Sequence, residues 1–165
     1  MARIVAFGEA LWDLLPSGPV LGGAPLNFAY RAGALGHRAT MVSALGRDEL
    51  GDRALARMRG LGMDTAFVQR AAGLPTGTVD VFLDADGSPD FTINSPAAYD
   101  AIALSPELER LAAEADCLCV GSLAQRAPGS RATLAAMLAA FRGPLALYDV
   151  NLRKACYSRE IIEES

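Results

Sequence analysis

Lysine is almost missing from this chain: of fifteen Lys and Arg residues only Lys154 is a lysine, and the arginines are scattered without a polybasic arm. With a formal net charge of −4 there is no basic surface to neutralise a phosphate backbone, which argues against a nucleic-acid partner. Cysteine is scarce and odd in number. Cys117, Cys119 and Cys156 show no CxxC spacing, so neither a disulfide framework nor a zinc site is expected, and a reducing, cytoplasmic compartment is the simplest home. His37, the single histidine, follows a helix-ending Gly36 and is expected to meet the helix C-terminus rather than serve in a triad or metal site. No run approaches the ~20 apolar residues that span a bilayer, and residues 1–8 lack the apolar core of a signal peptide. No membrane partner is expected. Gly-Lys-Ser/Thr is absent and no G-x-G-x-x-G follows the first apolar run, which removes the P-loop and dinucleotide readings.

What is present is apolar and ordered in pattern. The 165 residues are 52% hydrophobic and 21% charged, far from the composition of disordered chains and sized for one domain. Short apolar runs at 3–8, 39–45, 66–70, 116–121 and 145–150 read as strands. Between them, 25–35, 49–61, 106–114 and 130–142 have helical spacing, with Pro25 and Pro106 suited to first helical turns and Ser105 to a cap. Such alternation predicts a Rossmann-like parallel sheet with helices on both faces. Residues 77–84 and 90–94 flank an Asp-Gly step at Asp86-Gly87 and predict a hairpin. The stretch 10–23 around Pro16-Ser17-Gly18-Pro19 offers a second hairpin of the same small sheet. At 158–165, Ser158 reads as the cap of a further helix with Ile161 and Ile162 as its first buried positions.

Gly22-Gly23-Ala24-Pro25-Leu26-Asn27 holds the sharpest chemical pattern. Two residues without Cβ admit a ligand close to the backbone, the first helical turn offers free N–H groups, and Asn27 can donate and accept toward vicinal hydroxyls. The bland reading is a tight turn before a capped helix. Asp13, just after an apolar strand, reads by itself first as a solvated loop residue or cap, and beside the glycine pair as a bidentate hydroxyl acceptor. Asp149 and Asn151 fall at the carboxyl end of a parallel strand, where ligands of open α/β sheets gather. Phe82, Phe91 and Tyr99 either close over a ligand or fill a core. Cys117 and Cys119 share a strand face and are expected to pack as small hydrophobes.

From Gly22 the spacing runs Gly-Gly-x-Pro-x-Asn-x-Ala, six residues, Gly36, nine residues, Gly46, then Gly46-Arg-Asp-x-x-Gly51. This resembles the first signature of the ribokinase-like (PfkB) carbohydrate kinases. Gly8-Glu-Ala-Leu-Trp-Asp13, Pro75-Thr76-Gly77 and Asp149-Val-Asn151-Leu-Arg153 look like bacterial fructokinases in particular. The resemblance implies the N-terminal part of a ribokinase-type three-layer α/β/α sandwich over residues 1–165, with a small antiparallel β-lid inserted at about 10–23 and 76–98. It implies transfer of the γ-phosphoryl group of MgATP to a primary hydroxyl of a sugar, with K⁺ a further cofactor candidate. Asp13, Gly22, Gly23 and Asn27 then hold sugar hydroxyls, and Arg153 reaches substrate or transferring phosphate, as cations near equatorial phosphate oxygens do.

The second family signature, a Gly-Ala-Gly-Asp stretch supplying the anion hole and the general base, does not occur in these residues. None of Asp13, Asp48 or Asp149 is nominated as that base. The chain is therefore expected to carry the sugar-binding half of a kinase site; a non-catalytic sugar-binding or dimerising remnant is the rival reading. A fragment of a longer kinase, or a homodimer through the lid or an exposed sheet flank, is the expected state.

Overall fold

The computed structural model describes residues 1–83, 89–153 and 156–164; the expected turn at Asp84–Gly87, and Lys154, lie outside them. In chain order the elements are β1 (Arg3–Phe7), β2 (Leu11–Leu15), β3 (Gly18–Gly22), α1 (Ala24–Ala34), β4 (Arg38–Gly46), α2 (Glu49–Gly60) and β5 (Val68–Ala71). There follow β6 (Gly77–Leu83), β7 (Pro89–Ile93), α3 (Pro106–Glu114), β8 (Cys117–Gly121), α4 (Pro128–Ala140), β9 (Leu145–Asp149) and α5 (Arg159–Glu164). Single 3-10 turns occur at Ala98–Ala101 and Leu123–Gln125.

Five strands make a parallel sheet in the order β5-β4-β1-β8-β9. Burial on both faces explains why its inner strands read as continuous apolar runs rather than as alternating ones. On one face Ala6, Met41 and Leu45 pack with Leu26 and Ala29 of α1 and Ala54 and Met58 of α2. On the other, Val5, Phe7 and Val42 pack with Leu108 and Ala112 of α3 and Leu134 and Met137 of α4. This is the expected three-layer α/β/α arrangement. Cys117 and Cys119 are buried on the α1 side among apolar residues, and burial pushes the Cys119 thiol up to about 12, which leaves it unreactive.

Boundaries differ where local chemistry was misread. The fourth helix starts at Pro128 and ends at Ala140, two residues before the expected span 130–142, because Pro128 takes the first turn. His37 does not turn its ring to the helix end: its Nδ1 accepts the Ala2 N–H at 3.2 Å, while its own N–H closes the helix on the Ala32 carbonyl.

The second sheet has the order β3-β2-β6-β7. Its two hairpins, β2–β3 and β6–β7, are antiparallel, but they join through a parallel pairing of β2 with β6, so the expected antiparallel sheet is mixed. Parallel joining follows from the connection, since a long crossover through β4 and α2 separates β2 from β6. Trp12 fixes this sheet to the main body, its indole Nε1 donating to the Leu50 carbonyl of α2 at 3.0 Å.

Candidate functional site

Side chains on one face of the small sheet can be read from its register. Asp13 stands opposite Val20 on one side and Val79 on the other, and Val79 faces Ile93. That face closes over the carboxyl ends of β1, β8 and β9 and the N-terminus of α1, enclosing a cavity of about 210 Å³. Of the sequence candidates, Asp13, Gly23, Asn27, Phe91, Asn151 and Arg153 line it. Larger hollows exist elsewhere, including an 850 Å³ groove outside α1 and α2, but this one joins an acid, an amide and a cation at the carboxyl ends of parallel strands, where ligands of such sheets bind.

The glycine pair has two separate tasks. A Cβ on Gly22 would lie 2.7 Å from Asp13 Oδ2, so its bareness makes room for that carboxylate. Gly23 is at φ +117°, and a Cβ there would collide with the Glu9 carbonyl; only glycine takes this backbone without strain. Gly23 then starts α1 with no side-chain cap of its own, and the Asn27 N–H bonds the Gly23 carbonyl at 2.9 Å.

Asp13 is half-buried, and desolvation raises its carboxyl above the ordinary range against the opposing pull of Arg153. The Arg153 guanidinium lies 5.6 Å from the Phe91 ring centroid, over its face, an attraction that holds both at the rim. Asn151 sits at φ +26°, a strained backbone for a non-glycine residue of the kind found at binding sites.

Four candidates do not line the cavity, Gly22 beside Asp13 being the first. Tyr99 is fully buried in the main core, on the 3-10 turn Ala98–Ala101, because the bare Gly77 admits its ring; it cannot close over a ligand. Phe82 is 61% exposed and pairs with Asp90 on the opposite face of the small sheet, so strand alternation turns it away. Asp149 is exposed at the end of β9, next to the cavity but not in its wall.

Glu9 was not singled out from the sequence. It is 3% exposed, lines the cavity, and accepts the Ala24 N–H on Oε1 at 3.2 Å, replacing the missing cap of α1. Burial pushes its carboxyl up to about 7, with the backbone N–H groups of Glu9 itself and Ala24 and the charge of Arg126 opposing and Asp149 adding to the rise. A charged residue directly after a buried central strand was the available signal, since an unneeded charge is rarely placed there.

The remaining signature residues are structural. Asp48 caps α2 by accepting the Gly51 N–H at 2.8 Å, and also accepts the Thr76 N–H at 2.7 Å and its hydroxyl at 2.6 Å. Thr76 Oγ1 in turn accepts the Gly46 N–H at 2.9 Å. Gly46-Arg-Asp-x-x-Gly51 and Pro75-Thr76-Gly77 are thus two halves of one knot tying the sheet to the small sheet's second hairpin.

Among the described residues no group of three or more His, Cys, Asp or Glu side chains is placed to hold a metal ion. The cavity offers phosphate oxygens one guanidinium, Arg153. These residues do not fit a Mg²⁺-bound nucleotide. Among the described residues no helix is long and apolar enough to cross a membrane.

A family model described as pfkB family carbohydrate kinase matches residues 19–163. A probable fructokinase of Arabidopsis thaliana is 33% identical, over 92% of this chain and 48% of its own length. The crystal structure of a fructokinase from Vibrio cholerae superposes with TM-score 0.81 at 26% identity, covering 98% of this chain and 58% of that one. An uncharacterised sugar kinase from Pyrococcus horikoshii, solved in complex with ATP, gives TM-score 0.80 at 28% identity over 98% of this chain and 57% of its own. The chain spans about half the length of the curated relatives it matches.

Proposed function

Because the chain belongs to the pfkB family of carbohydrate kinases, we propose that its cavity is the sugar site of a fructokinase-type phosphotransferase, with the small sheet as its lid. The observation that carries the reading is the convergence of Asp13, Gly23, Asn27 and Arg153 on one cavity. Asp13 accepts hydrogen bonds from adjacent hydroxyls and Asn27 both donates and accepts, while the bare Gly22 leaves the room that the Asp13 carboxylate occupies. Phe91 covers an apolar C–H face of the sugar. Arg153 stands over the mouth, where it meets the oxygens of the group being transferred. The residues lining this cavity do not supply a site for MgATP, the donor this reading requires.

Calorimetric titration of D-fructose, D-ribose and 2-keto-3-deoxygluconate into the 165-residue chain tests the assignment. Saturable fructose binding is expected, weakened roughly tenfold to hundredfold in Asp13→Ala, as for loss of a charge-assisted hydrogen bond. Preference for another of the three sugars reassigns the substrate. No binding to a folded sample overturns the reading. The rival reading is a sugar-binding module without phosphoryl transfer. ADP release in the presence of the bound sugar excludes it; binding without turnover supports it.

A further inference from the structure

We propose that Glu9 is a further substrate-reading residue of this cavity, its Oε2 accepting a hydrogen bond from a hydroxyl of the bound polyol. The inference rests on the sugar-site reading and adds to it a residue from the loop after the central strand. Glu9 has two carboxylate oxygens and only one of them has structural work. Oε1 takes the Ala24 N–H, a task an amide oxygen performs equally well. Oε2 is buried and has no partner among the described residues, a costly state for a carboxylate unless something else satisfies it.

The surroundings do not supply that partner. The Arg126 guanidinium is committed to Asp100, at 2.8 Å and 2.9 Å, and to the Asn94 carbonyl at 3.2 Å. Gly121, at the end of β8, carries no side chain; a Cβ there would come within 4.0 Å of Oε2. The groups facing Glu9 are Asp149 from β9, Arg126, Tyr99 from the 3-10 turn and Cys119 from β8, with Asp13 and Arg153 across the cavity. Of these, the Cys119 thiol is pushed up to about 12 and the Tyr99 phenol above its ordinary value, both chiefly by burial, so both keep their protons near neutrality. A neutral donor from a ligand fits Oε2 better than a metal ion, since no cluster of three ligating side chains stands here among the described residues.

The test is calorimetric titration of D-fructose into the wild-type chain and Glu9→Gln at pH 6, 7 and 8, with thermal melts of both without sugar. The Gln amide oxygen is held by the Ala24 N–H, so its NH₂ replaces Oε2 and turns an acceptor into a donor. Glu9→Gln is expected to melt no lower than wild type at pH 8, to bind fructose at least tenfold more weakly there, and to show no pH dependence. Wild-type affinity is expected to rise about tenfold from pH 6 to pH 8 as a carboxyl at about 7 ionises, since only the ionised form is the stronger acceptor. Equal affinity of the two proteins, with the same pH profile, overturns the inference and leaves Glu9 a helix cap. If Gln prevents folding, the wild-type profile decides: affinity independent of pH overturns the proposal. Failure of both folded proteins to bind fructose, D-ribose or 2-keto-3-deoxygluconate removes the sugar reading itself, and this inference with it.

Discussion

Asp48 and Asp13 show how two aspartates of the same sequence come to opposite uses. Burial alone would raise the Asp48 carboxyl, but hydrogen bonds from Thr76 and Gly51, with the charge of Arg70, outweigh it and hold the group below its ordinary 3.8. The folded chain therefore binds this proton less readily than the unfolded chain, so the stabilisation is complete above the ordinary value and is lost as pH falls through the lower, folded one. Wild type is expected to lose stability more steeply below pH 4 than Asp48→Asn, measured by urea denaturation across pH 5 to 3. Thr76→Val removes the hydroxyl that bridges Asp48 and Gly46 and is expected to cost about 1–3 kcal/mol, the penalty of buried groups left without partners. Asp13 makes no such bonds among the described residues. Its carboxyl is raised by desolvation, with Arg153 opposing. Spacing revealed that both residues belong to the motif; their division of labour depends on Thr76 and Gly22, neither adjacent to its partner in sequence.

Elements were legible where their signals are local. Ser105 accepts the Leu108 N–H and Ser158 the Ile161 N–H at the starts of α3 and α5, as capping chemistry indicated. Tyr99 was left open between lid and core because its environment is made by a distant strand: a Cβ on Gly77 at the start of β6 would lie within 2.9 Å of Tyr99 Cδ1. Gly77→Ala must therefore displace a fully buried ring or bend β6 away from β2. It is expected to destabilise by about 1–3 kcal/mol, as overpacking does, and to weaken fructose binding by shifting Val79 in the cavity wall. A variant with wild-type stability in urea would show that the ring yields freely.

For the whole molecule the telling feature is the outer edge of β9, which pairs only with β8 among the described residues. Leu145 is 47% exposed there and Leu152 just beyond it is 48% exposed. An unpaired strand edge beside apolar side chains invites another chain. Light scattering of the 165-residue chain is expected to show concentration-dependent association that Leu145→Lys with Leu152→Lys reduces. A single monomeric species at all concentrations would count against this.

The sequence by itself determined the alternation of strands and helices, the glycine and proline punctuation, and the family, because these reside in periodicity and short spacing. Tertiary structure decided which polar groups share a cavity. It placed Glu9 beside Ala24, turned Phe91 inward and Phe82 outward, and buried Tyr99, because such relations depend on sheet register and on packing between segments tens of residues apart.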